Sequence, residues 1–382
     1  MSRTVYVIGV GQTIVGEHWE YSLRELAWHA AEHALLQAGL RQPDALYVGN
    51  MLAGALSGQE HLGALLADFF GLRHCESVSV EAAQASGGAA FRQAYLAIKS
   101  GFVDTALVVG VEKMTDLVGS EVASAVGASL DSDWETNSGA SLTSTAALLT
   151  QLYLHAYQLE PRDLAHFACQ AHANAQNNPY AMFRNLINAD QVARAPLLAT
   201  PLTVFDCAPD GDGAAAVVLA AGDVLPTLAS KHPLALARVA ASSLATAPLA
   251  LHDRPQLLNF AAAQSSAMQA YRQAGIGTSE IDVFELHDAY SVFAALSLEA
   301  AGFAMPGQGW QQPFNQSPVI CTAGGSKARG NPAGAVGVYQ ILEVVQQLTG
   351  HAPTPHPNVQ WGMAQCLGGS GATAVTHILT RP

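Results

Sequence analysis

The sequence predicts an α/β protein built from two similar halves. Strands and helices alternate from the N-terminus, the same alternation resumes after position 223, and small residues crowd one helix at 86–100. A strand–helix–strand succession sets strands side by side and lays helices over both faces, so the sheet is expected to be largely parallel. A helix made of Gly87, Gly88, Ala89, Ala90, Ala94 and Ala97 suits burial between layers, because its small side chains let backbones approach closely.

In the first half, TVYVIGV (4–10) reads as a strand. Residues 22–39 repeat apolar positions at helical spacing, with Gly39 as a stop. ALYVG (45–49) is a second strand, GQEHLGALLADFFGL (58–72) a second helix and ESVSVEA (76–82) a third strand. The helix at 86–100 ends before Gly101, and DTALVVGVEKM (104–114) is a fourth strand. Residues 115–200 are richer in Ser, Asn, Gln and Thr and read as an inserted, partly helical excursion, such as a cap or loop domain. The sheet resumes at GAAAVVLAA (213–221), and DVLPTLASKHP (223–233), with its two prolines, reads as a linker. The second half follows with strand LALARVA (234–240), helix 259–274, strand DVFELHD (282–288), helix 291–302, strand SPVIC (317–321), helix 333–349 and strands near 361–366 and 373–379. The domains are therefore expected at 1–222, including the excursion at about 115–200, and at 223–382.

Composition narrows the function classes. Half of the 382 residues are hydrophobic and 12% are charged, enough to bury a large core. A net charge of −13 argues against a nucleic-acid surface and supplies no polybasic membrane patch. The five cysteines, at 75, 169, 207, 321 and 366, show no CxxC spacing and read as reduced thiols of a cytoplasmic protein. The N-terminal strand does not read as a signal peptide, and no apolar run reaches membrane-spanning length. Gly9-Val-Gly11 follows a strand but lacks the third glycine of a dinucleotide fingerprint. His166, Cys169 and His172 lie three apart on a helix without a fourth ligand, so no metal site is expected.

The richest segment is VEAAQASGGAA (80–90), where a β-branched strand runs into the small-residue helix. A side chain at such a junction sits at the positive end of a helix dipole, a setting that activates a thiol. The segment resembles the nucleophile motif of thiolases, VEAACASGGAA, with Gln84 in place of the cysteine. GVEKMTD (110–116) resembles the family's strand-to-loop signature, and DCAPDGDGAAAVVL (206–219) resembles its DCSPxSDGAAA segment. ELHDAY (285–290) resembles the HDCF or HDAF loop, GGSKARGNPAGAVGVYQ (324–340) resembles GGLKAKGHPxGATGVYQ, and CLGGSGATAV (366–375) resembles the last catalytic loop. In this order the motifs resemble the thiolase superfamily over essentially the whole length, nearest its archaeal-type acetyl-CoA acetyltransferases and sterol-carrier-type thiolases. The resemblance implies a five-layered αβαβα fold, an acyl-CoA thioester as substrate with no separate cofactor, and a homodimer formed through the N-terminal half.

The resemblance also distributes roles. Gln84 stands at the nucleophile position, where a carboxamide cannot form an acyl thioester. His287 matches a histidine of an oxyanion hole for the thioester oxygen. Asn331 stands where the family has the histidine of GHP; an amide donates a hydrogen bond but is no base near neutral pH. Cys366 matches the second cysteine, the proton shuttle at the substrate α-carbon. Backbone N–H groups at Gln84 and around Gly368 and Gly369 would form a second oxyanion site. Tyr290 either donates a phenolic proton or fills core, Asp288 orients its loop, and Lys327 and Arg329 either meet CoA phosphates or hold the fold.

Such a site keeps the parts that stabilise an enolate and lacks those that make and activate an acyl-enzyme. Retro-aldol cleavage of a β-hydroxyacyl-CoA and decarboxylation of a malonyl-type thioester need the first set only. Some superfamily members without the nucleophile resemble this pattern, acting on steroid side-chain CoA esters with a small zinc-ribbon/OB-fold partner. Ordinary acyl transfer would require a replacement nucleophile. A non-catalytic acyl-CoA-binding or scaffold subunit is the alternative.

Overall fold

The computed structural model describes residues 3–228, 235–312 and 317–382. Positions 229–233 of the expected linker and Leu234 of the strand after it lie outside the described residues. The first half contains β1 (Val5–Gln12), α1 (Leu23–Ala38), β2 (Ala45–Gly49), α2 (Ala53–Leu56), α3 (Leu62–Phe69), β3 (Glu76–Val80), α4 (Ser86–Ser100) and β4 (Thr105–Glu112). The excursion carries α5 (Gly119–Gly127), α6 (Leu142–Tyr157), α7 (Pro161–Ala175), α8 (Ala189–Arg194) and a small hairpin of β5 (Leu197–Ala199) and β6 (Leu202–Thr203). β7 (Gly213–Ala221) and α9 (Leu225–Leu228) follow. The second half contains β8 (Ala237–Thr246), α10 (Ala261–Ala274), β9 (Val283–Glu285), α11 (Ser291–Ala300), β10 (Val319–Ile320), α12 (Val336–Thr349), β11 (Trp361–Gly368) and β12 (Thr373–Thr380).

Local chemistry sets the helix ends. Ser22 accepts from the Glu25 N–H while Glu25 accepts from the Ser22 N–H, a reciprocal cap that starts α1. Gly39 stops it in the left-handed region at φ 62°, where a side chain is disfavoured.

Ten strands form one sheet in the order β10-β9-β11-β12-β8-β1-β7-β4-β2-β3. Counted within each half, both sets of five run third-second-fourth-fifth-first, and the matching pairs have matching directions. The two sets meet at β1 and β8 through Tyr6↔Arg238 and Val7↔Ala237. The expectation of a largely parallel sheet needs correction. Only β2 with β3 and β4, and β9 with β10 and β11, are parallel; the middle is antiparallel. In the second half, residues 369–372 join β11 to β12, far too few for the crossover that parallel strands require. In the first, the long excursion returns the chain to the end of the sheet it left, so β7 enters opposite to β4.

The layers follow from the contacts. α4 and α12 pack together and touch strands of both halves, so they form the central layer. α1 covers the outer face of the first half and α10 that of the second. Close approach in the centre depends on glycine: a Cβ on Gly337 of α12 would stand 2.4 Å from the Gly88 nitrogen of α4. The central core joins Phe91 and Ala94 of α4 to Val338 and Ile341 of α12, and separate apolar clusters lie under α1 and α10.

Candidate active site

The loop between β3 and α4 is short and tightly tied. Ala83 sits at φ 52°, an uncommon region for a residue with a Cβ. Its N–H donates to Glu81 Oε1 at 2.5 Å, and its carbonyl accepts from Ser86 Oγ at 2.5 Å. This turn presents Gln84, which is 4% exposed. Its Oε1 accepts the N–H of Gly369 at 2.8 Å. Gly369 has φ 58°, and a Cβ there would meet the Ser129 carbonyl at 2.7 Å, so the position admits glycine.

Three further segments close around this point. The loop after β9 carries His287 through Tyr290, the approach to β7 carries Cys207 through Asp210, and the approach to α12 carries Asn331. The middle segment is laced to both others. Ala208 N–H donates to the Ala289 carbonyl at 2.7 Å, and Cys207 pairs with Tyr290 across an antiparallel bridge. Asn331 N–H donates to the Pro209 carbonyl at 3.0 Å, and Asp210 pairs with Asn331 across a parallel bridge. Gln84, Cys207, Asp210, His287, Tyr290 and Asn331 thereby line one cavity of about 150 Å³, with Leu142, Thr143 and Leu198 of the excursion as its outer wall.

The cavity contains polar groups whose bonding capacity is unspent. Nδ1 of His287 and Oδ1 of Asn331 are buried without a protein partner. Burial, with the charge of Arg329 adding to it, lowers His287 to about 4, so the imidazole is neutral at pH 7 and offers one donor and one acceptor. Burial raises Cys207 to about 11 and also raises Tyr290, whose Oη lies 3.0 Å from Thr143 Oγ1; both keep their protons. Asp210 is exposed at the cavity; the protein crowded around it raises its carboxyl, to about 6 at most, because solvent still reaches the group and weakens the effect of burial.

Behind the cavity three carboxylates are bonded within the fold. Burial alone would raise Asp212, but bonds from Lys113 Nζ at 2.8 Å, Thr115 Oγ1 at 2.7 Å and the N–H groups of Met114, Thr115 and His18 outweigh it and lower the carboxyl. Glu112 ties the Asn331 loop down, accepting from the N–H groups of Met51, Leu52 and Gly334. Asp288 accepts from Ser326 N–H at 2.6 Å and so orients the His287 loop.

The structure thus brings Gln84, His287, Asn331 and Tyr290 to one cavity. Cys366 does not join them. Its side chain points from β11 into an apolar cluster with Ala85, Ala89 and Val375, its Sγ is 3.8 Å from the Ala85 carbonyl, and burial pushes the thiol up to about 12. Gly368 ends β11 away from the lining, and Gly369 contributes its N–H, already taken by Gln84. Lys327 and Arg329 are 3% and 1% exposed, which removes them from any surface phosphate site. Lys327 Nζ donates to the Asp206 carbonyl at 2.6 Å. Arg329 lies 2.7 Å from Glu343 and over the ring of Tyr339, close enough for charge attraction though not aligned as a hydrogen bond. His172 packs against Phe183 and Phe205 with Nδ1 on the Asn185 carbonyl. Among the described residues no group of three or more His, Cys, Asp or Glu is placed to hold a metal, and no helix is long and apolar enough to cross a membrane. Sequence reasoning passed over Asp210, whose signal was an acidic residue at the open position of the DCSPxSDGAAA pattern.

Comparison with known proteins identifies relatives of this chain along its whole length. Residues 5–223 match the family model of the thiolase N-terminal domain, and residues 243–381 match the thiolase C-terminal domain-like model. An acetyl-CoA acetyltransferase of Methanothermobacter thermautotrophicus is 38% identical over 99% of this chain and 100% of its own. The benzoylsuccinyl-CoA thiolase subunit BbsB of Thauera aromatica is 31% identical over 97% of this chain and 96% of its own. Among solved structures, the Ltp2-ChsH2(DUF35) aldolase superposes with a TM-score of 0.85 at 19% identity, covering 99% of this chain and 98% of that one. Human mitochondrial 3-ketoacyl-CoA thiolase in complex with CoA superposes at 0.78 with 16% identity, covering 100% and 98%. At these identities the structures speak for the fold.

Proposed function

The chain belongs to the thiolase family, and from that premise we propose that it performs enolate chemistry on a CoA thioester without an acyl-enzyme. It is an acetyl-CoA acetyltransferase-like protein by descent. The observation that carries the proposal is the bond from Gly369 N–H to Gln84 Oε1. In this reading the Gln84 carboxamide fills the place of a thioester-linked acyl group, with its own carbonyl in the backbone oxyanion site. Of the thiols near this point, Cys366 is buried outside the cavity and Cys207 lies on another segment than the β3–α4 turn, and burial raises both above their ordinary range.

His287 and Asn331 then receive the substrate. Cleavage of a β-hydroxyacyl thioester, or loss of carbon dioxide from a malonyl-type one, places negative charge on the thioester oxygen. A neutral histidine and an amide that rotates to present its N–H₂ stabilise that charge, and preorganised donors of this kind are worth about 2.7–4 kcal/mol each. Because they act on the developing charge more than on the resting thioester, they raise turnover more than binding. The roles of Gln84, His287 and Asn331, the domain division at 222/223, a homodimer, a small zinc-ribbon/OB-fold partner and a cytoplasmic setting with its thiols reduced belong to the same proposal. An aldolase is among the structural neighbours that share the fold, which is consistent with it.

The test is incubation with β-hydroxyacyl-CoA and malonyl-CoA thioesters, each followed by chromatography of the CoA products. Release of the shortened acyl-CoA supports the reading. Binding of these thioesters without turnover, with or without the small partner, would instead make the chain an acyl-CoA-binding subunit.

A further inference from the structure

We infer that Asp210 is the proton-transferring residue of the cavity and that the site takes a β-hydroxyacyl thioester rather than a malonyl-type one. The inference rests on the enolate reading above and narrows it. Its basis is position. The Cys207–Asp210 segment is bonded on one side to the His287–Tyr290 loop and on the other to Asn331, so Asp210 is held between the two groups that would grip the thioester oxygen.

Bonding supplies a second argument. Asp206, Asp212 and Asp288 each accept hydrogen bonds from neighbouring side chains or N–H groups. Among the described residues the Asp210 carboxylate has neither a hydrogen bond nor an ion pair; it stands exposed on the cavity lining and faces solvent rather than a protein donor. A carboxylate with its acceptor capacity free is suited to a substrate hydroxyl, the donor this cavity lacks a use for. Its neighbours cannot replace it: Gln84 and Asn331 are amides, His287 is a weak base, and Tyr290 and Cys207 retain their protons.

Charge decides between the two substrate classes. The described lining contains no lysine or arginine. A malonyl carboxylate would face Asp210 with no countercharge, whereas a β-hydroxyl is neutral and donates to it. In the step that follows, the Asp210 carboxylate takes the hydroxyl proton and the β-carbon–oxygen bond becomes a carbonyl. The Cα–Cβ bond breaks, and its electron pair forms the enolate held by His287 and Asn331. The Asp210 carboxylic acid then returns the proton to Cα, giving the shortened acyl-CoA and an aldehyde or ketone. No oxidant or reductant is consumed.

The experiment compares the unmodified chain with Asp210→Asn and Asp210→Glu on 3-hydroxybutyryl-CoA, butyryl-CoA and malonyl-CoA, short probes for a cavity of about 150 Å³. Calorimetric binding and release of acetaldehyde with acetyl-CoA are both recorded. The expected result is tighter binding of 3-hydroxybutyryl-CoA than of butyryl-CoA, a preference lost in Asp210→Asn. Cleavage should fall by about a hundredfold or more in Asp210→Asn and by less in Asp210→Glu. Cleavage unchanged in Asp210→Asn, malonyl-CoA as the best ligand, or no preference between hydroxyl and plain acyl probes would each overturn the inference. A preference that Asp210→Asn abolishes, without turnover of any probe, upholds the pairing of Asp210 with the hydroxyl and overturns the enolate reading instead.

Discussion

Asp212 and Asp210 stand on one short segment and live in opposite surroundings. Asp212 lies in the bonded region behind the cavity, where five donors lower its carboxyl despite complete burial. Asp210 is exposed on the cavity lining, has no protein donor, and is raised by the protein crowded around it, to about 6 at most. The same division holds more widely: Glu112 and Asp288 are bonded and hold loops, while His287 and Asn331 keep free polar atoms. The contrast separates carboxylates bonded within the fold from polar groups on the cavity lining, although buried polar atoms without a hydrogen-bond partner also occur away from it, at Arg329, Glu343 and His377. It teaches that changes in the first region should read out as stability and changes in the second as activity.

The largest effect expected from this division is on stability. Asp212→Ala strips a partner from Lys113 and leaves buried N–H groups of Met114 and Thr115 unbonded. Breaking a buried ion pair in this way should cost about 3–5 kcal/mol, read as a lower urea midpoint. A midpoint unchanged in Asp212→Ala would erase the distinction between the regions.

His287→Ala should act on the other side of it. Turnover of the β-hydroxyacyl substrate should fall by roughly a hundredfold to a thousandfold, with KM changing far less, because the donor acts on developing charge. Steady-state kinetics checks this. An equal loss carried by KM would make His287 a binding group for the resting thioester.

The pH profile sharpens the contrast. Asp210 must be ionised to accept a proton, so kcat/KM should rise with pH through the carboxyl's raised range, no higher than about 6, and level off above it. Below that value it should fall about tenfold per pH unit, the slope of a single essential ionisation. His287, lowered to about 4, is already neutral across this range, and the raised Cys207 and Tyr290 have not yet titrated, so one acid limb is expected. The limb should vanish in Asp210→Asn.

The smallest effect concerns position 84. Gln84→Cys should restore little thiolysis, since Asn331 supplies no base where the family has histidine and the Asp210 carboxylate is the only other candidate on the described lining. Gln84→Cys with Asn331→His should do markedly better. Equal activity of the single and double variants, measured with acetoacetyl-CoA and CoA, would separate position 331 from the role proposed for it.

Much of the frame was legible in the sequence because periodicity reports local structure. The alternation of strands and helices, the stop at Gly39 and the buried small-residue helix all follow from nearest neighbours. Strand direction was not legible where it depended on a distant return: β7 pairs antiparallel to β4 only after the whole excursion has been traversed. The motifs marked Gln84, His287 and Asn331, which the fold brings together. That Cys366 lies off the cavity lining was not legible, because a strand residue points to one of two faces and the sequence does not say which face holds α4. Asp210 was passed over because its distinction is a lack of partners, and partners are a property of the folded neighbourhood.

The central claim is chemistry on a thioester without a covalent intermediate, and intact-mass spectrometry during turnover tests it most directly. The chain is mixed with acetyl-CoA or with a β-hydroxyacyl-CoA under conditions in which product accumulates, then acid-quenched. The account predicts the unmodified mass at every time point, because Gln84 cannot be acylated and no cysteine stands at the β3–α4 turn where the family has its nucleophile. A stoichiometric acyl adduct on Cys207 or Cys366 would contradict it and return the protein to ordinary acyl transfer.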